Sequence, residues 1–108
     1  MKTPKDVAAL LYQQGGWFAH LDDEAIEYDP IGIKKTTWML SLAADMLRHS
    51  MKMSYRQGAD YLEWALFDAQ VIKELVDIYY PHHRMELRVL SFHIDEGREL
   101  LPRLRENQ

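Results

Sequence analysis

The chain contains no cysteine. That absence excludes disulfides, thiolate nucleophiles and Cys-ligated zinc sites together, and it fits a reducing compartment. Long apolar runs are also missing. None approaches the ~18–20 residues that span a bilayer, although 47% of the chain is hydrophobic. The first residues, Met1-Lys2-Thr3-Pro4-Lys5-Asp6, lack the apolar stretch of a signal peptide. A cytoplasmic protein is the expectation from these absences. No Gly-rich phosphate loop is present, because Gly15-Gly16 has no Lys-Ser/Thr sequel, and no Ser or Thr sits in a nucleophile motif. No cofactor is implied, and the expectation is that the chain is not an enzyme.

A strong charge of one sign is lacking as well. The net charge is −4, but it is unevenly spread. Residues 1–31 carry two basic and six acidic side chains, and residues 32–53 carry four and one. Residues 54–80 carry two and five, and residues 81–108 five of each. A general nucleic-acid binder needs a basic face to displace counterions, so this balance argues against one. It permits charge pairing between segments or between subunits.

What is present is helical periodicity. The 108 residues suit one domain, with a hydrophobic fraction ordinary for a globular chain. Ser54 followed by Gln57 makes a capping box. Gly58, Leu62, Ala65, Ala69, Ile72, Val76 and Tyr79 then recur every three or four residues, the seam of a helix packed along its length. Pro81 pushes its predecessor out of helical geometry, so this helix covers 54–80. Thr3 as N-cap and Pro4 at the first position start a short helix over 4–14, which Gly15-Gly16 should stop. Residues 34–50 form another, with Thr37, Leu40, Ala44, Leu47 and Met51 on one stripe and Trp38, Leu42 and Met46 on the next. The short connection to Ser54 makes these two long helices antiparallel neighbours.

The last helix starts near Pro81 or His82. Leu87, Leu90, Ile94, Gly97, Leu101 and Leu104 make its seam, and Met85, Val89 and Phe92 a second stripe. Pro102 should kink or end it, leaving 103–108 as a frayed tail. Residues 17–28 alternate enough for a minor hairpin, or for a loop with one helical turn. The predicted fold is therefore all-α: a small bundle of three main helices plus a short N-terminal one. The seams on the last two helices are wider than a monomer of this length covers, so a homodimer or a partner helix is expected.

Three groups of residues carry candidate chemistry. Asp68 is the first, because its neighbours three and four residues away, Trp64, Ala65, Val71 and Ile72, are all apolar. A carboxylate there must be paired, hydrogen-bonded or protonated. It is either a base or ligand with a raised pKa, or a structural tie to another helix, and the structural reading is preferred. The second group is the set of histidines. Facing Glu-x-x-His pairs, which build metal sites in bundles, are absent. The reversed pair His93-x-x-Glu96 could join Asp68, with help from His49, in an alternative metal- or small-ligand-binding reading. The third group is Trp17 and Phe18 with the acidic run Asp22, Asp23, Glu24, Glu27 and Asp29. Trp17-Phe18 are either a plug over the helical core, the preferred reading, or aromatic anchors for a partner, and the acidic run is either a solvated turn, again preferred, or a patch for a protein with a basic surface.

Residues 53–62 share the alanine and leucine of a helix-turn-helix first helix, but the turn glycine is missing and the seam runs on unbroken. Lys73 is the only basic residue between Phe67 and Tyr80, a balance that would repel phosphates. The expected function is accordingly a small interaction module, a regulator or inhibitor docking on a larger protein assembly.

Overall fold

The computed structural model describes residues 3–19, 32–49 and 54–106. Among them are four helices packed against one another, and no strand: α1 (Pro4–Trp17), α2 (Ile33–His49), α3 (Tyr55–Tyr79) and α4 (Arg84–Glu106). The chain is an all-α helical bundle.

Two helices begin at reciprocal caps. At α1 the Asp6 N–H donates to Thr3 Oγ1 at 3.2 Å, and the Thr3 N–H to Asp6 Oδ2 at 3.0 Å. At α3 the Gln57 N–H donates to Ser54 Oγ at 3.1 Å, and the Ser54 N–H to Gln57 Oε1 at 3.2 Å. Each box satisfies two backbone donors that the helix start would otherwise leave open. At its other end α3 closes with the Tyr80 N–H on the Val76 carbonyl, 2.7 Å, just before Pro81.

Close approaches fix how the helices run. Gly15, near the end of α1, lies against Leu40 in the first half of α2, Ile72 in the last third of α3 and Leu90 in the first half of α4. At the opposite end Pro4, Leu47, Gly58 and Leu104 line one cleft. The helices therefore alternate up, down, up, down. α1 and α3 pack against each other and against both remaining helices, whereas α2 and α4 barely touch. The cross-section is a rhombus with α1 and α3 on its short diagonal. The Cα envelope measures 43 × 25 × 15 Å, which leaves α2 and α4 as flanks with broad outer faces.

The core is apolar apart from Thr37 and Asp68, with Leu11, Phe18, Leu40, Leu62, Ile72, Leu90 and Ile94 almost or fully removed from solvent. Polar ties cross its edges. Arg105 pairs with Glu63 and lies 3.6 Å from Asp60, Arg98 donates to Gln70 at 2.9 Å, and Gln14 donates to the Glu86 carbonyl at 3.3 Å.

Three details correct the expectations. Gly15-Gly16 does not stop α1, which runs on to Trp17. Gly15 is buried, and a Cβ there would sit 3.0 Å from Leu40 and 3.3 Å from Ile72, so the residue serves a close crossing of helices. Trp17 is thus the last helical residue and not the start of a hairpin; the rest of that question, residues 20–31, lies outside the described residues. Pro102 does not end α4, which continues to Glu106.

Gly97 is the second position where packing requires the absence of a side chain. A Cβ there would come within 2.5 Å of Leu66 Cδ2 and 3.2 Å of Val7 Cγ1. Gly97→Val forces two further carbons between α4, α3 and α1. Such overpacking typically costs about 1–3 kcal/mol, and urea denaturation should show the loss, even though valine is the better helix former.

Candidate functional site

Asp68 is where the seam places it. It lies in the middle of α3, between Ala65 and Ala69, and only 6% of it is exposed. The Trp64 indole, one turn back, donates to the carboxylate. Oδ2 has no hydrogen-bond partner among the described residues, and no cation pairs with the group there. Burial raises its pKa from 3.8 to about 6, and the Trp64 bond offsets part of that rise. A second orphan is Thr37 Oγ1 on α2, also buried without a partner among the described residues. Asp68 lines none of the surface clefts described for α1, α3 and α4.

His93 and Glu96 close on each other. In the tautomer protonated at Nδ1, His93 donates to Glu96 Oε1 at 2.8 Å, with both side chains mostly buried on the flank of α4. Asp68 does not join them: among the described residues no three His, Asp or Glu side chains come together to hold a metal ion. His49 lies exposed at the end of α2.

The third group divides. Phe18 is fully buried under the end of the bundle. Trp17 is 39% exposed and meets Phe18 and His83 edge-to-face, at centroid distances of 5.2 and 5.5 Å. His82 stacks on His83 at 4.2 Å. Of the pair expected to act together, one side chain is core and the other surface. Asp22, Asp23, Glu24, Glu27 and Asp29 lie outside the described residues.

Several exposed side chains were not among the candidates. Ile78 and Met85 are each 69% exposed and Tyr79 is 57% exposed. They sit at the end of α3 and the start of α4, the same end of the bundle as Trp17. In the sequence Ile78 lies off the main seam and Met85 on a second stripe, whereas Tyr79 stands on the seam, whose last turn the structure leaves exposed. A helical wheel alone does not tell whether such residues meet a neighbouring helix or water.

No described helix is long and apolar enough to cross a membrane. Compared with models of known families, with curated proteins and with solved structures, the chain has no significant match.

Proposed function

We propose that the chain is a small non-enzymatic protein–protein interaction domain, a regulator or inhibitor that docks on a larger assembly. The observation that carries this reading is the apolar end of the bundle. Trp17, Ile78, Tyr79 and Met85 are each exposed at that end. Single exposed apolar residues are ordinary, but a group of large ones at one end of a small domain marks a contact surface. Aromatic and methionine side chains are also the types enriched in interface cores, where they bury much area and adapt to the partner.

The partner's chemistry follows from this patch and from the acidic run of the sequence. The acidic residues 22–29 belong to the connection between α1 and α2. Its described flanks, Ala19 and Gly32, lie at this end of the molecule. A protein with an apolar socket and a basic rim matches both features.

The test is affinity capture from the native host's lysate with the full chain as bait, beside an Ile78→Asp, Met85→Asp double variant whose helicity is checked by circular dichroism. The wild type should retain a protein that the variant loses. Raising the salt from 50 to 500 mM should weaken the capture, because exposed charge pairs are screened. Equal capture by a folded variant and the wild type would refute the patch.

A further inference from the structure

On α4 six positions form a charge palindrome. Arg84 and Arg88 stand toward its N-terminal end, Ser91 and Phe92 in the middle, and Asp95 and Glu99 toward its C-terminal end. At about 100° per residue, all six fall within a sector of about 100° on the helix surface. The sector faces outward. Arg84, Arg88, Asp95 and Glu99 are exposed, Ser91 is half-buried, and 60% of Phe92 is exposed. Most of it rims an open groove shared with Asp77 and Pro81 at the end of α3.

Along this face like charges are brought together, although Asp77 shares the groove with the arginines, and Arg98 and Arg103 follow Asp95 and Glu99 by three and four residues. Arg84 and Arg88 are four residues apart, as are Asp95 and Glu99, so like charges are neighbours on the helix face. The two arginines also sit at the positive end of the helix dipole. None of the four makes an ion pair among the described residues.

We infer that this face pairs with a second copy of the chain, α4 against α4, antiparallel, with the two-fold axis between Ser91 and Phe92. Such a two-fold reverses the helix direction and keeps each flank facing itself. It therefore sets Arg88 against Asp95 of the second copy, twice, along the middle of the face, with Arg84 and Glu99 of the two copies level with each other on its opposite edges. The same operation brings the two Phe92 rings together along one edge of the face, and the small Ser91 lies along the other. Two opposite-charge pairs thus lie either side of the axis in a face that spans roughly 22 Å of helix. A one-residue shift, or a parallel arrangement, loses this match. The six positions do not include Trp17, Ile78, Tyr79 or Met85, although Met85 adjoins Arg84, and the substitutions that test the pairing, at Arg88 and Asp95, leave the proposed docking patch unchanged.

Light scattering or sedimentation on the purified full chain tests it. The wild type at ~100 µM should have twice the chain mass. Arg88→Asp places aspartate opposite aspartate, and Asp95→Arg places arginine opposite arginine. Juxtaposed like charges are strongly unfavourable, so each variant should dimerise about 100-fold more weakly and run as a monomer. Mixed in equal amounts, the two variants should form a heterodimer, because every pair is then opposite in sign. The double variant Arg88→Asp, Asp95→Arg should dimerise again. All substitutions lie on exposed positions, and circular dichroism verifies that the helices persist. A monomeric wild type, single variants that dimerise as well as the wild type, or a mixture that stays monomeric would each overturn the pairing. A monomer that still captures a host protein through Ile78 and Met85 would overturn the pairing alone.

Discussion

Phe18→Ala is expected to destabilise the fold by about 3–5 kcal/mol, the usual range for removing a buried phenylalanine and leaving a cavity. The ring is fully buried at the end of α1 and stands edge-to-face to Trp17 at 5.2 Å. It is the largest side chain in the fully buried core. A domain of this size has a total stability of about 5–15 kcal/mol, so the variant should lose a large part of its margin. Chemical denaturation should show the midpoint falling sharply with an almost unchanged slope. Phe18→Leu, which keeps much of the volume, should cost clearly less. Similar small losses for both would mean that the end of the bundle can collapse around the vacated space. The result also bears on function: because Phe18 holds the end on which Trp17, Ile78 and Tyr79 are displayed, the alanine variant should bind a partner more weakly as well as unfold more easily.

Some elements were legible in the sequence because one local signal settles them. The Ser54–Gln57 box and the unbroken seam locate α3 to within a residue at either end. The first residue of α1 follows from Thr3 and Pro4 in the same way. The end of α1 was not legible, since glycine serves two opposite purposes. A Gly pair after a helical stretch reads as a stop, but Gly15 is there because Leu40 and Ile72 come within 3.0 and 3.3 Å of where a Cβ would be. That reason lies on α2 and α3, and no window of sequence around Gly15 contains it. Pro102 is similar. Its effect depends on how much helix remains after it, and α4 continues for only four residues, to Glu106. Phe18 and Trp17 show the same limit at one residue's resolution. Adjacent aromatics at a helix end must diverge, but which one turns inward is decided by the other helices.

The charge palindrome on α4 lies in plain view as letters. It acquires meaning only once the six positions are known to share an outward face. The inward position of Asp68 follows from its apolar neighbours three and four residues away. The lack of a partner for Oδ2 does not follow from them, because a partner would have to come from another helix.

That missing partner makes Asp68 the source of the second large effect. Its pKa is about 6 in the folded chain and near 3.8 when exposed. Between these values the folded state holds a proton that the unfolded state has lost. Stability therefore decreases as the pH rises through this window and levels off above it. The total is about 3 kcal/mol at neutral pH, the free-energy equivalent of a shift of this size. Other carboxylates titrate in the same range, so the clean quantity is the difference between the wild type and Asp68→Asn. The amide cannot ionise, and its oxygen can still accept from the Trp64 indole. Its NH2 takes the place of Oδ2 and is unpartnered too, which sets a constant offset of about 1–3 kcal/mol against the variant. The offset does not change with pH, whereas the ionisation penalty does. Relative to the wild type, the variant should therefore gain about 2–2.5 kcal/mol between pH 4 and pH 7, with almost no further change above that. Parallel stability curves would mean that the carboxylate ionises equally easily in both states, and hence that a counter-charge or water reaches it. Unaltered partner capture by the amide variant would assign the residue to the fold alone. Reduced capture by an equally folded variant would mean that the buried carboxylate positions the residues that meet the partner.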